Sequence, residues 1–231
     1  MTDRVGFASA QGSGEFCFDA AARHDFYETT AVTVIDGIGR GPGVNTAAAL
    51  CAEVAVRVGA RNGELAGIMA AAELLTDNRA VRPTPNAVGV LAVRRPGNPI
   101  RLAYVGDCRA WGFSGGTLHQ LTVDHNLGEQ MRQQGLPEEI ASQNDNVVLT
   151  TLGRATVATT PVSATDAPLV VLTTDGVHGV LDLEAMVQII KEHKDEGAQK
   201  MADEMVAAAL EVPPSASGYK DDMTVAVLYR D

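Results

Sequence analysis

The stretch Ala31-Val32-Thr33-Val34-Ile35-Asp36-Gly37-Ile38-Gly39-Arg40-Gly41 constrains this chain more than any other. An apolar, β-branched run ends on an aspartate, and glycines follow at once. This is how a buried strand reads when it delivers a carboxylate to its end and then turns sharply. One such stretch alone is ordinarily an Asp-Gly turn. Here the pattern recurs. Asp175-Gly176 follows Pro168–Thr174, Gly106-Asp107 follows Arg101–Val105, and Asp221-Asp222 precedes Met223–Tyr229. Four carboxylate positions at strand ends, far apart in sequence, are expected to converge on one edge of a β core. Oxygen-rich clusters of that kind suit hard divalent cations.

The 231 residues are enough to bury a substantial core, in one domain or two. With 45% hydrophobic and 20% charged residues, the composition argues against disorder. A formal charge of −11 disfavours a nucleic-acid-binding surface. The three cysteines, Cys17, Cys51 and Cys108, include no CxxC spacing, so neither a disulfide framework nor a zinc site is expected. No stretch reads as a signal peptide, and no apolar run reaches the ~18 residues that span a bilayer. The expectation is a cytoplasmic protein with no membrane or nucleic-acid partner.

Periodicity predicts strands at residues 4–10, 30–35, 87–93, 100–105, 110–113, 117–121, 146–152, 169–173 and 224–228. It predicts helices at 44–59, 63–76, 182–193 and about 196–210, with a polar helical segment from Asn126 to Ile140 in which Pro137-Glu138-Glu139 reads as a helix start. The segment with Arg23, His24 and Asp25 reads as a polar stretch, 79–85 as a loop, and 213–218 as a flexible loop. Strands cluster in hairpins and helices come in consecutive pairs, which favours an α+β arrangement of antiparallel sheets with helices packed outside. No repeat or linker divides the chain, so one domain over 1–231 is expected.

Taken in order, the landmarks resemble the metal-dependent PPM, or PP2C-type, protein phosphatases of bacterial type. Val34-Ile-Asp36-Gly37-Ile-Gly39 resembles that family's V-x-D-G-M/H-G. Ala103-Tyr-Val-Gly106-Asp107-Cys-Arg109-Ala-Trp111 resembles A-x-V-G-D-S-R-A-Y. Leu121-Thr-Val-Asp124-His125-Asn126 is similar to L-T-x-D-H-S, and Asn146–Gly153 to N-x-L-T-R-A-L-G. Thr173–Leu181 resembles S-D-G-L-x-D-x-L, and Lys220–Val225 resembles D-N-x-T-V. The resemblance implies a four-layer αββα fold, a central antiparallel β-sandwich flanked by paired helices. It implies two Mn²⁺ or Mg²⁺ ions at one end, Asp36 bridging both, the Gly37 carbonyl on one, and Asp175 and Asp221 on the other. Asp107, with Asp175, would hold a weaker third ion. Asp19 would be an acid that orients the attacking water, so the expected catalytic residues are Asp19 and Asp36. Residues 127–145 would form a flap beside the site. The implied activity is hydrolysis of phosphoserine and phosphothreonine in proteins, opposing a Ser/Thr kinase, by a monomeric protein phosphatase. The residue types suit it, because two cations neutralise a phosphomonoester and lower the pKa of a water nucleophile.

The resemblance has gaps. Aligning the family's R-x-x-N-x-D motif on Asp19 puts Gly14 where a phosphate-gripping arginine belongs. Arg23 or Arg40 is the expected substitute. Ile38 replaces a histidine seen in many members, and Gly179 replaces an acid beside the third ion. The alternative reading is therefore a weak or inactive module that binds a phosphoprotein or regulator through the same cleft. A third, by analogy, is a regulatory phosphatase acting on anti-anti-sigma-type proteins. His125 is expected to brace a turn, Cys108 to be a small buried residue, and Met186, Met201 and Met205 to pack a helix interface.

Overall fold

A computed structural model of the chain describes residues 4–75, 84–214 and 218–230. In chain order the strands are β1 (Val5–Ala10), β2 (Ala20–Phe26), β3 (Thr29–Ile38), β4 (Asn86–Arg94), β5 (Ile100–Val105), β6 (Arg109–Ser114), β7 (Thr117–Gln120), β8 (Val162–Thr165), β9 (Leu169–Thr173) and β10 (Met223–Tyr229). The helices are α1 (Pro42–Asn62), α2 (Glu64–Ala72), α3 (Leu127–Gln133), α4 (Glu138–Ala141), α5 (Asp175–His178), α6 (Leu183–His193) and α7 (Ala198–Glu211).

Strands that are largely apolar on both faces need cover on both faces. β3, β4, β9 and β10 are of this kind and lie at or near the middle of two five-stranded sheets, ordered β1-β10-β9-β6-β7 and β2-β3-β4-β5-β8. Every neighbouring pair is antiparallel. The period-two alternation of a strand then sorts each run into two rows. Val32 and Val34 of β3, with Val88 and Val90 of β4, face Val170, Leu172, Ala226 and Leu228 of the other sheet. The opposite row, Ala31 and Ile35 with Leu91, packs under Ala48, Cys51 and Ala55 of α1 and Ile68 of α2. On the far side Val171, Val225 and Val227 pack under Met186 and Ile190 of α6 and Met201 and Met205 of α7. The order of layers is helix pair, sheet, sheet, helix pair, as expected. Burying each such side chain fully contributes roughly 1.5–3 kcal/mol. The methionine stripe is core packing.

Several elements differ from the sequence reading. The polar stretch after Asp19 is β2, the edge strand of its sheet, with Ala20 opposite Ile35 and Phe26 opposite Thr29. Charged residues belong on an edge, where they discourage pairing with another chain. Residues 146–152 are not a strand. The sheet edge beyond β5 is taken by β8, so this segment bonds instead to the 125–127 turn: Leu127 N–H donates to the Val147 carbonyl (2.9 Å) and Leu149 N–H to the His125 carbonyl (2.7 Å). β8 itself is short and partly exposed and carried no periodic signal. The predicted second helix ends at Ala72 and continues as a 3₁₀ turn to Leu75. Most of the loops predicted at 79–85 and 213–218 lies outside the described residues.

Segment 127–145 stands apart from the sheets. Asn126 caps α3 by accepting from the Glu129 N–H (2.8 Å). Arg132 ties the segment together, pairing with both oxygens of Glu138 and both of Asp145, each at 2.8 Å. Among the described residues, no helix is long and apolar enough to cross a membrane.

Candidate active site

The inward row of β3 runs Val32, Val34, Asp36, so the pleat that buries the two valines aims the aspartate into the gap between the sheets at its open end. Gly37 follows because nothing larger fits: a Cβ there would lie 2.7 Å from the Phe18 carbonyl oxygen and 2.7 Å from a Val44 methyl. Gly176 is constrained in the same way, with the Asp222 carbonyl oxygen 2.0 Å from where its Cβ would be. These close approaches bring the Asp19 segment to β3 and the Asp175 turn to β10. Asp107 arrives by the turn after β5, and Asp221 just before β10.

Asp36, Gly37, Asp107, Asp175 and Asp221 all line one cavity of about 590 Å³, with Phe18, Ile38, Val88, Val147, Val148 and Tyr219 as its apolar walls. Asp19 is nine-tenths buried behind that wall and accepts the Thr174 hydroxyl (2.7 Å). The electrostatics record the crowding. Burial first, then Asp175, Asp19, Asp107 and Asp221, push Asp36 well above the usual carboxylate range. Asp19 and Asp175 are raised by burial and by neighbouring aspartates, and Asp107 is pushed up to about 6 by burial and Asp124. Burial likewise raises Asp221. Among the described residues, no three His, Cys, Asp or Glu side chains are placed so that they could hold a metal ion as they stand. The donor chemistry nevertheless suits a hard dication: oxygen atoms only, negative, buried, and repelling one another. Among the described residues, no lysine or arginine lines the cavity to offset them.

The two candidate phosphate-binding arginines are not brought into this cavity. Arg23 sits opposite Val32, four residues along the strand from the position facing Asp36, or about 13 Å. Its Nε donates to Asp25 (2.8 Å). Arg40 is exposed in the turn after β3, next to Gly39 on the rim.

Several residues matter that sequence reasoning did not single out. Asp222, buried, accepts the Gly12 N–H (2.8 Å) and the Phe18 N–H (2.7 Å), pinning the loop that leads into Asp19. The alternation 222, 224, 226, 228 along β10 carried that signal. Arg109 is held through Nε and Nη2 by both oxygens of buried Asp124 (2.6–3.1 Å). The Trp111 Nε1–H donates to the Thr173 hydroxyl (2.9 Å), which lies 2.8 Å from His178 Nδ1. Thr173 is fully buried, and its own proton has a partner only if His178 Nδ1 accepts it, which places the imidazole proton on Nε2. Burial, then the Arg109 charge, holds the His178 pKa well below normal, so the ring is neutral. His178 stands three residues after Asp175, a helical spacing that puts both on one face. His125 does brace a turn, its Nδ1 accepting the Gly106 N–H (3.2 Å), and Cys108 is buried.

No protein-family model matches the chain, and no curated protein matches it. Solved structures do. The chain is similar to the serine/threonine phosphatase of S. agalactiae, with a TM-score of 0.82 and 18% identity, over 98% of this chain and 99% of that one. It is similar to the PPM Ser-Thr phosphatase MsPP from Mycobacterium smegmatis, solved with cacodylate, with a TM-score of 0.77 and 19% identity over 100% and 99%. It is also similar to the catalytic domain of the serine/threonine protein phosphatase PstP, solved with two manganese ions, with a TM-score of 0.73 and 18% identity over 98% and 97%. At this identity the likeness establishes architecture, and it spans both chains almost completely: the fold of this protein is that of the bacterial PPM-type serine/threonine phosphatases.

Proposed function

We propose that this protein is a Mn²⁺- or Mg²⁺-dependent protein serine/threonine phosphatase, a single-domain monomer acting in the cytoplasm on phosphoproteins made by an opposing kinase. The observation that carries this reading is the convergence of Asp36, Asp107, Asp175 and Asp221, from four separate segments, on one cavity with no side-chain cation among the described residues. Asp36, the Gly37 carbonyl, Asp175 and Asp221 would hold two ions, with Asp107 beside a third. Bound there, the ions would neutralise the phosphate and lower the pKa of a water nucleophile. The chain's own part is to position and to exclude. Asp36 and Asp175 are fixed at a strand end and a helix start on opposite sheets. Asp19, held by Thr174, would orient the attacking water. Val147, Val148, Ile38 and Phe18 limit bulk water around the phosphoester. With no arginine in the cavity among the described residues, the phosphate would be gripped by the ions.

The test is hydrolysis of p-nitrophenyl phosphate and a phosphothreonine peptide in Mn²⁺, with and without chelator, in wild type and in Asp36→Asn and Asp175→Asn. Turnover that needs Mn²⁺ and falls at least a hundredfold in both variants is expected. Turnover indifferent to chelator or to both substitutions would sink the enzyme reading. One observation favours the second reading, a binding module: among the described residues, the cavity has no guanidinium for phosphate. In that case a phosphopeptide binds in Mn²⁺ but is not hydrolysed.

A further inference from the structure

Beside the aspartate cavity lies another of about 380 Å³, and Asp175, Tyr219 and Asp221 line both. Those three residues form the partition between them. Beyond it the lining changes in kind. Val180, Pro213 and Pro214 join Tyr219 as apolar walls, and Gly176 and Gly179 contribute backbone alone. Neither glycine admits a side chain without moving its neighbours. A Cβ would lie 2.0 Å from the Asp222 carbonyl oxygen at Gly176, and 2.6 Å from the Asp175 carbonyl oxygen at Gly179.

The polar groups at its margin are engaged elsewhere. The Tyr219 hydroxyl donates to Asp221 (3.3 Å), so the polar end of this side chain is taken up on the aspartate side. Lys220 also lines the cavity, but its Nζ donates to the Leu210 carbonyl in the last turn of α7, where a cation suits the helix dipole. What remains for a ligand is apolar surface. Val180 and Tyr219 are 38% and 55% exposed, and both prolines are exposed. Single exposed apolar residues are ordinary; four that line one concavity opening onto a catalytic cavity mark a binding surface. Its volume is that of about a dozen liquid waters, which suits one large side chain.

We propose that this cavity is a substrate subsite for an apolar side chain, of the size of leucine, methionine or phenylalanine, lying within two residues of the phosphoresidue. An extended peptide advances about 3.3 Å per residue, so a cavity that shares a wall with the catalytic one is reached by a near neighbour in the chain. Val180 and Pro214 are its specificity-determining walls. The proposal rests on the phosphatase reading and specifies its substrate class, and the contacts it invokes need no bound ion.

The experiment measures kcat/KM of the Mn²⁺-loaded full-length chain on phosphoserine peptides in an alanine background. Leu, Glu or Lys is placed in turn at each of the two positions before and the two after the phosphoserine. At one position Leu is expected to exceed Ala by about tenfold, mostly in KM, as burial of most of a leucine side chain gives. Val180→Asn and Pro214→Asn, both at exposed positions, should lower that Leu/Ala ratio while leaving turnover of the all-alanine peptide within about twofold. A fall in either variant supports the subsite. A Leu/Ala ratio near one at every position, a preference for Glu or Lys over Leu where Leu is best, or a ratio unchanged in both variants would overturn it. Turnover of the all-alanine peptide without the preference overturns the subsite alone; no turnover of any peptide overturns the phosphatase reading and the subsite with it.

Discussion

Asp221 and Asp222 are adjacent and chemically identical, yet the structure predicts opposite signs for their replacement. Asp222 accepts two backbone N–H groups, from Gly12 and Phe18, at 2.8 and 2.7 Å. Asparagine keeps one acceptor oxygen and turns an NH₂ toward the other N–H. One charge-assisted bond is lost, and such bonds contribute about 1.5–3 kcal/mol. For a chain of this size each kcal/mol moves the melting temperature by about 2–4 °C. Asp222→Asn should therefore lower Tm by roughly 3–12 °C in chelator, even though the phosphatase motif this segment resembles carries asparagine there. Asp221 is different. Its Oδ1 accepts from the Asp222 N–H (3.0 Å) and the Tyr219 hydroxyl (3.3 Å), and an asparagine oxygen can do both. What Asp221→Asn removes is a negative charge that raises its carboxylate neighbours Asp19, Asp36, Asp107 and Asp175. At pH 7 in chelator it should raise Tm. Adding Mn²⁺ should then stabilise wild type and Asp222→Asn but leave Asp221→Asn little changed. Differential scanning fluorimetry on three proteins, with and without Mn²⁺, decides it. If both variants move in the same direction in chelator, the assignment of the loop-anchoring hydrogen bonds to Asp222 and of a chiefly repulsive charge to Asp221 is refuted.

Other consequences are as direct. The aspartates of the cavity have raised folded-state pKa values, about 6 at Asp107, about 7 at Asp19 and about 8 at Asp175, against 3.8 unfolded. The folded state binds more protons than the unfolded in that window, so metal-free stability should be greatest below pH 4 with respect to these groups and fall as pH rises to about 8; a denaturation series in chelator that rises over this range would contradict it. Mn²⁺ at a hundred times its Kd should add about 2.7 kcal/mol per site, seen as a Tm rise of roughly 5–11 °C. Gly176→Ala forces a methyl against the Asp222 carbonyl and should abolish Mn²⁺-dependent stabilisation or prevent folding, measured by circular dichroism and the same Mn²⁺ titration. Arg132→Met should change global stability by under ~1 kcal/mol, because its partners are largely exposed, while making 127–145 the first site of proteolytic cleavage.

Much of this architecture is written in local pattern. The apolar and β-branched runs at Ala31–Ile35, Leu169–Leu172 and Thr224–Leu228 require cover on both faces, and the opposite sheet and paired helices supply it. The carboxylates of the cavity were legible because each closes or opens such a run. What the sequence hid is what depends on partners distant in the chain. β2 is polar because it is an edge, and an edge is defined by the sheet beside it. Segment 146–152 has strand-like residues, but its place beyond β5 belongs to β8, whose own sequence is unremarkable. Arg23 was plausible by proximity to Asp19 in sequence, yet a strand advances about 3.3 Å per residue, and four residues carry it out of reach. Arg109 belonged to a recognised motif, but its two-pronged pairing with Asp124 joins separate segments and is not a local pattern.

The cavity sits where the two sheets part company. Asp36 belongs to one sheet, Asp175 and Asp221 flank strands of the other, and each sheet has its own helical cover and its own outer core. An ion bound between them would therefore act as a rivet across a seam, adding to a junction otherwise made largely of apolar side chains such as Val34, Val90, Leu172 and Ala226. Catalytic competence and the mutual alignment of the layers would then share one fastening. Slippage of a fraction of an ångström between the sheets would be felt first at the site, and chelation should loosen this end of the sandwich while the opposite end stays shut.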